Sequence, residues 1–334
     1  ALWHRISSED ADERMPPPES NLALTAPEKQ ILRQWIAEGA EYGRHWAFVP
    51  LPETIEVPNL SDLPNWPRNE IDHFVGRKLE KYRLRPSAAA DPWRWFRRVA
   101  LDLTGLPPTP DEIRAFEKSL SDPQATAYED AVDRLLDSED YGEHMSIAWL
   151  DAARYTDTFG YHSDSTFAPW PYRDWVVKAF NKNMPFDQFI TWNLAGDLLP
   201  HPTTEQKLAT AFNRLHRITN EGGSVWLEFF VDGVADRVHT VGTTFMALTL
   251  ECSRCHDHKY DPITQKDYYS LFAFFNSINE TGVYNHEAIS PPPSLLLPDE
   301  GQEKDYAMRT QKVCDLEAKR AEIAKDAAPR IKEW

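Results

Sequence analysis

Cysteine is scarce in this chain of 334 residues, and the three present are too few for a disulfide framework. Basic residues are also in the minority, with 36 Lys and Arg against 53 Asp and Glu. The resulting net charge of −17 argues against nucleic acid and against anionic membrane surfaces as partners. No apolar run approaches the length of a membrane span, so no span is predicted in this segment. The opening residues Ala1-Leu2-Trp3-His4 contain no basic stretch followed by an apolar one, so no signal peptide is visible.

Two of the cysteines lie in the stretch Cys252-Ser253-Arg254-Cys255-His256, and Cys314 is predicted to be a free thiol. C-x-x-C-H is the attachment pattern of a c-type haem. Two thiols at this spacing can add to the two vinyl groups on one side of the porphyrin, and the histidine that follows can supply an axial nitrogen to the iron. The stretch therefore predicts haem c bound through Cys252, Cys255 and His256.

Zinc is the alternative cofactor for the same stretch. Cys252, Cys255, His256 and His258 are all residues that bind zinc. Structural zinc sites usually take a second pair of ligands from further along the chain, and the sequence has no second C-x-x-C. The spacing favours haem over zinc, and it favours both over two unmodified thiols.

The apolar spacing predicts a mainly α fold: an irregular, loop-rich helical domain built around the haem. Residues 46–69 contain five prolines and are predicted to be a linker. Residues 70–285 are predicted to form the haem-attachment domain, in which a long helix over residues 234–250 leads to Cys252. Residues 286–334 are predicted to be a linker followed by a charged connector helix.

Residues 1–45 resemble the last third of a small cytochrome c. Met15 precedes three prolines, and the Thr25-Ala26-Pro27-Glu28 stretch predicts a capping box at the start of an amphipathic helix. The resemblance implies that Met15 is the second axial ligand of a haem whose own C-x-x-C-H lies before residue 1. The alternative is an exposed loop methionine. We therefore expect the chain to be a piece of something longer.

Several further stretches resemble signatures of the planctomycete-type cytochrome c proteins over about residues 46–280. They are residues 98–110 (RVALDLTGLPPTP), 153–155 (ARY), 172–175 (YRDW), 194–200 (LAGDLLP), 220–223 (NEGG) and 255–263 (CHDHKYDPI). The resemblance implies a small cytochrome c domain followed by a helical domain of unassigned function that carries C-x-x-C-H. Because covalent haem attachment normally takes place outside the cytoplasmic membrane, the pattern implies an exported protein, periplasmic or extracellular. The implied partner is a redox protein or a neighbouring haem domain.

The sixth ligand of the iron is not selected by spacing. The candidates on the opposite haem face are His162, His239, Met246 and His286. His258 follows the axial histidine too closely, and with Asp257 and Asp261 it is expected to form hydrogen bonds around the haem edge or to the turn.

Three functions are compatible with these features. The first is an exported electron carrier, or the electron-transfer module of a larger oxidoreductase. The second is a haem enzyme with an open sixth iron position, in which His239 or Arg237 assists proton transfer. The third is a polysaccharide-binding module that stacks sugars on Trp170, Trp175 and Trp192, although aromatic residues spaced in this way are more often core.

Overall fold

The computed structural model describes residues 1–43, 45–122, 126–161, 164–284 and 291–333. The predicted mainly helical, loop-rich architecture is confirmed: 58% of the chain is helical, and the described residues form two isolated β-bridges but no strand. The contacts divide the chain into two compact units, Ala1–Ala88 and Ala89–Trp334.

The first unit contains three α-helices. They are α1 (Leu2–Ser7), α2 (Ala26–Ala37) and α3 (Glu70–Lys81). The predicted capping box opens α2: the Thr25 hydroxyl accepts from the Glu28 N–H, and the Glu28 carboxylate accepts from the Thr25 N–H (2.7 Å). Helices α1 and α2 pack together, and the Arg33 guanidinium lies 5.6 Å from the Trp3 ring centroid. The apolar face of α2 is nevertheless largely open, since Ile31 is 66% exposed.

Helix α3 belongs to the first unit, Ala1–Ala88, and not to the second. The Leu60 side chain packs on Gly76, where a Cβ atom would lie only 2.4 Å from Leu60 Cδ1. The His73 ring nitrogen Nδ1 lies 2.9 Å from the Pro58 carbonyl oxygen. The predicted proline-rich linker over residues 46–69 therefore folds back onto α3, and the predicted boundaries of the domains stay predictions.

The second unit contains ten α-helices among its described residues. They are α4 (Pro92–Thr104), α5 (Pro110–Ser119), α6 (Ala127–Leu136), α7 (Glu139–Ala152), α8 (Trp170–Asn181), α9 (Phe186–Ala195), α10 (Thr204–Ala209), α11 (Trp226–Met246), α12 (Gln265–Phe275) and α13 (Glu300–Glu333). The charged helix α13 matches the predicted connector, and Cys314 on it is a free, exposed thiol, as predicted. None of these helices, within the described ranges, is both long and apolar enough to cross a membrane.

Aromatic side chains from α7, α8 and α9 form the main core together with α11. The Trp149 indole N–H donates to the Tyr172 hydroxyl (3.0 Å), which donates to the Asn193 side-chain oxygen (2.7 Å). Trp175 stacks on Phe189 with ring centroids 5.3 Å apart. Buried polar groups that are paired in this way fix one arrangement of the surrounding side chains. These aromatic side chains thus fill the core between the helices.

Helix α11 begins at Trp226, eight residues before the predicted start at Val234. Its inner face is the predicted one: Val234, Val238 and Val241 are all buried. At Ala247 the backbone takes a left-handed conformation (φ 52°), and the chain turns back toward the helix that it has just left. This reversal delivers the C-x-x-C-H stretch to the side of α11.

Candidate functional site

The C-x-x-C-H residues form a short turn of 3-10 helix, Glu251–Arg254, followed by Cys255 and His256. We call residues 251–256 the motif turn. Cys252 lies within the 3-10 helix, and Cys255 follows its last residue, with the Cys255 N–H donating to the Cys252 carbonyl (3.3 Å). Both cysteines are exposed free thiols. Ser253, between them, is fully buried. The motif turn thus exposes both cysteines and buries Ser253.

The backbone of the motif turn is held by hydrogen bonds from α12 and by an ion pair with α11. The Arg254 carbonyl oxygen accepts from the Tyr269 hydroxyl (3.1 Å) and from the Gln265 amide Nε2 (3.2 Å). The Arg254 guanidinium Nη2 lies 2.9 Å from Asp232 Oδ1 on α11. This hydrogen bond to Asp232 raises the pKa of Arg254. Arg254, whose identity the haem pattern leaves open, thus ties the turn to two helices.

The His256 ring is exposed and has a defined tautomer. Its Nδ1 lies 2.7 Å from the Asp257 carbonyl oxygen. Because a carbonyl oxygen only accepts hydrogen bonds, Nδ1 carries the proton, and the neutral ring keeps a lone pair on Nε2. Histidine ligands of metals usually donate their second ring N–H to a backbone carbonyl or carboxylate in this way. His256 is therefore prepared for coordination through Nε2.

The His258 ring has the opposite tautomer. Its Nδ1 accepts from the Asp261 backbone N–H (2.9 Å), so the proton of the neutral ring is on Nε2. Only 10% of its side chain is exposed. The nearby Asp257 Oδ1 accepts from the Gln265 N–H (2.8 Å) at the first turn of α12. The expected hydrogen bonding of His258 and Asp257 to the turn is thus confirmed.

These contacts distinguish the two cofactors that the sequence suggested. A zinc site needs a fourth ligand besides Cys252, Cys255 and His256, and His258 uses its Nδ1 lone pair within the turn. The described part of the chain contains no group of three or more His, Cys, Asp or Glu side chains that could hold a metal ion. Two exposed thiols three residues apart, followed by an imidazole with Nε2 free, fit covalent haem attachment better than tetrahedral zinc.

The remaining predicted ligands have different surroundings. Met15 lies in the first unit, where its side chain is 41% exposed and its backbone N–H donates to the Arg5 carbonyl (3.0 Å). His239 is partly buried on α11, and Met246 at the end of that helix is 51% exposed. His162 and His286 lie outside the described residues.

A buried cluster of charged side chains, which the sequence did not reveal, lies beneath the inner face of α11. We call Arg214, His216, Arg237 and Glu280 the inner ion cluster. Glu280 forms ion pairs with Arg237 and Arg214, and the Arg237 Nη2 donates to His216 Nε2 (2.7 Å). The His216 Nδ1 donates to the Arg217 carbonyl (2.8 Å), and its Nε2 also lies 3.5 Å from Glu280 Oε2.

The electrostatics of the inner ion cluster favour the ionised form of its carboxylate. Burial by itself raises the pKa of Glu280, but the polar partners His216, Arg237 and Arg214 outweigh burial and lower the pKa to about 2. Burial lowers the pKa of Arg237, and the charge of Glu280 opposes that shift. Arg237 is only 1% exposed and is paired with Glu280, and its role in proton transfer at a haem stays a prediction. One sequence signal could have revealed the cluster: Arg237 lies within the apolar stripe of α11.

The sugar-stacking surface suggested by the sequence is not formed. Trp175 is 4% exposed and stacks against Phe189 in the core. Of the other two residues, Trp170 is 54% exposed, and Trp192 is partly buried against the same core. A platform that needs all three indoles exposed is therefore excluded.

A cavity of about 220 Å³ borders the outer side of α11. Its lining includes Asp232 and Asp236 of α11, Tyr161 and Arg217, and also His216 of the inner ion cluster. Asp232 thus lines the cavity and also binds the motif turn through its ion pair with Arg254.

Comparison with known proteins gives one match. The family model PSCyt2, described as a protein of unknown function (DUF1549), matches residues 70–280, which is well over half of the chain. The chain belongs to this family. No curated protein and no solved structure matches the sequence significantly. The PSCyt2 match includes the motif turn, α11, α12 and all four residues of the inner ion cluster. It begins at the first residue of α3, which the contacts place in the first unit.

Proposed function

We propose that this PSCyt2 protein is an exported c-type cytochrome that transfers electrons through a covalently attached haem, as one module of a larger oxidoreductase. The observation that carries the proposal is the motif turn. It exposes the Cys252 and Cys255 thiols three residues apart and leaves Nε2 of the adjacent His256 free. When bound, haem c supplies an iron that takes up and releases one electron.

The residues of the turn would perform distinct tasks. The two thiols would attach the porphyrin, and His256 would hold the iron through Nε2. The hydrogen bond to the Asp257 carbonyl would keep the imidazole oriented and increase its basicity. Tyr269 and Gln265 would keep the turn in place through the Arg254 carbonyl. Because the cysteines and His256 are exposed, an edge of the cofactor would be accessible to a redox partner protein or to a neighbouring haem domain.

Of the two partners, only a neighbouring haem domain is compatible with Met15 as an iron ligand. Its exposed thioether lies in the first unit, and residues 1–88 contain no C-x-x-C-H. Any haem that Met15 binds would therefore be attached to another segment, and one iron is expected per copy of the 334-residue chain studied alone.

Haem staining tests the proposal directly. The protein is produced in a host that attaches c-type haem and is separated by denaturing electrophoresis. We expect a peroxidase stain to stay with the polypeptide and the double variant Cys252→Ser/Cys255→Ser to lose it. Cys314→Ser is the matched control, because that thiol is also free and exposed but lies on α13, and its stain is expected to be unchanged. A colourless wild-type band, or equal staining of the double variant, would refute covalent attachment.

The cavity beside α11 favours a second candidate function, a haem enzyme with an open sixth iron position. A volume of about 220 Å³ is below that of drug-sized pockets, so any substrate there would be small. The lining residue Asp232 binds the motif turn through Arg254, so a substrate in the cavity would lie near the cofactor. The measurement that separates this candidate from electron transfer is the binding of an external ligand to the iron.

A further inference from the structure

The outer face of α11 carries three residues spaced by seven. They are Asp232, His239 and Met246. At 3.6 residues per turn, residues seven apart lie on nearly the same side of a helix and are separated by about 10 Å along its axis. This outer face is opposite the buried Val234 and Val238. His239 therefore lies at the middle of the outer face.

The chain that leads into the motif turn contacts α11 at two points. After the reversal at Ala247, the Leu248 N–H donates to the Gly242 carbonyl (2.9 Å). The Leu250 side chain packs on Gly242, where a Cβ atom would lie 2.7 Å from Leu250 Cδ1. Four residues later, Arg254 reaches Asp232. The segment 248–254 thus runs back along α11 from Gly242 to Asp232.

His239 lies between these two points of attachment. Along the axis it is about 4.5 Å from Gly242 and about 10 Å from Asp232. Viewed down the helix axis, the position of His239 also lies between those of Asp232 and Gly242. It is about 20° around the helix from Asp232 and about 60° from Gly242. The motif turn and His239 are therefore neighbours on one side of α11.

The His239 ring has a nitrogen with an unmet bonding capacity. Its Nδ1 is buried and has no hydrogen-bond partner among the described residues. An unpaired buried polar atom destabilises the fold, so such an atom in a native structure calls for an explanation, such as an absent ion, water or functional partner. Met246, the other candidate described on this face, has a side chain that is 51% exposed.

We propose that His239 is the second axial ligand of the iron whose haem is attached at Cys252 and Cys255 and held by His256. The inference rests on the proposed function, because it assigns a role toward the same cofactor. An iron with two imidazole ligands is closed to external ligands. It also has a lower reduction potential than one with a histidine and a methionine. The assignment therefore favours electron transfer over the open-site enzyme.

Four haem-loaded proteins test the assignment: the wild type, His239→Ala, His239→Met and Met246→Leu. For each, haem content is measured after denaturation, and spin state and carbon monoxide binding are measured on the folded protein. We expect covalent haem in all four. The wild type and Met246→Leu should be low-spin and should not bind carbon monoxide. His239→Ala should become high-spin and bind it stoichiometrically.

The His239→Met variant covers the case in which the alanine variant does not fold. A methionine at this position can still bind the iron, so the protein should stay low-spin with a higher midpoint potential. The assignment is overturned by a wild-type protein that binds carbon monoxide, since its sixth position is then open. It is also overturned if Met246→Leu opens the iron, or if both His239 variants keep the wild-type spectrum and potential. Loss of covalent haem from the wild type instead refutes the proposed function, and this inference with it.

Discussion

The two faces of α11 carry polar groups of opposite character. On the inner face, Arg237 is 1% exposed and binds Glu280 and His216 in the inner ion cluster. On the outer face, Asp232 is 55% exposed and binds Arg254 of the motif turn. The charges of the inner ion cluster are buried and must be paired, whereas the Asp232–Arg254 ion pair is open to water.

This difference separates groups that hold the fold from groups that are available for chemistry. A buried ion pair need not stabilise a protein relative to an apolar core, but the loss of one partner is costly because the other charge remains buried. An exposed pair contributes little. In the motif turn the backbone and the side chains of Ser253, Arg254 and His256 have internal partners, whereas the two cysteine thiols remain free. We therefore expect large stability effects from the inner face and small ones from the outer face.

The largest effect is expected for Glu280→Ala. This change leaves the Arg237 charge buried without its carboxylate, and it should lower the free energy of unfolding by about 3–5 kcal/mol. Asp305→Ala is the control, because it removes the exposed ion pair between Asp305 and Arg309 (2.7 Å) and should cost less than about 1 kcal/mol. Urea unfolding followed by circular dichroism measures both. Equal losses would contradict the contrast between buried and exposed pairs.

Acid should weaken the inner ion cluster selectively. Because the pKa of Glu280 is lowered from 4.5 to about 2 in the folded protein, its contribution to stability is present above about pH 4.5. That contribution is lost as the pH falls through this range toward 2. Between pH 6 and pH 3 the wild type should lose about 2 kcal/mol more than Glu280→Gln, which has no carboxylate to titrate at this position. Urea unfolding at the two pH values checks this, and parallel losses in the two proteins would be the contrary result.

Local sequence signals predicted the helices whose ends are set by neighbouring residues. The capping box at Thr25 marks the start of α2, and it is present. The start of α11 was missed because Trp226 and Leu227 are 60% and 51% exposed. The apolar pattern that identifies a buried face therefore begins only at Val234, although the backbone is already helical.

Contacts between distant residues could not be predicted in the same way. Arg237 and Glu280 are 43 residues apart, and no periodicity in the chain links them. For the motif turn, the C-x-x-C-H spacing predicts Cys252, Cys255 and His256 as the residues that bind a cofactor, and this stays a prediction. It did not predict that Tyr269 and Gln265 would hold Arg254, because those bonds depend on where α12 packs. Reactive residues at short spacing are thus visible in the sequence, whereas their supports are visible only in the fold.

The smallest effect is expected from Tyr269→Phe, which removes one hydrogen bond from the motif turn. The Arg254 carbonyl keeps the Gln265 amide as a second donor, so no buried acceptor is left unpaired. The cost should be about 1 kcal/mol. It should appear as a roughly fivefold faster hydrogen exchange of the amides of Ser253 and Cys255.

Tyr260→Phe is the matched control for this measurement. Tyr260 is in the loop that follows the motif turn, is 82% exposed, and its hydroxyl has no hydrogen bond among the described residues. Its removal should leave the exchange of the turn amides unchanged. Neither variant touches the inner ion cluster, so global unfolding should change by no more than the single bond. If the turn amides exchange at the same rate in Tyr269→Phe and Tyr260→Phe, the Tyr269 hydroxyl does not hold the motif turn. The contacts of Gln265 and Asp232 with Arg254 must then suffice to hold it.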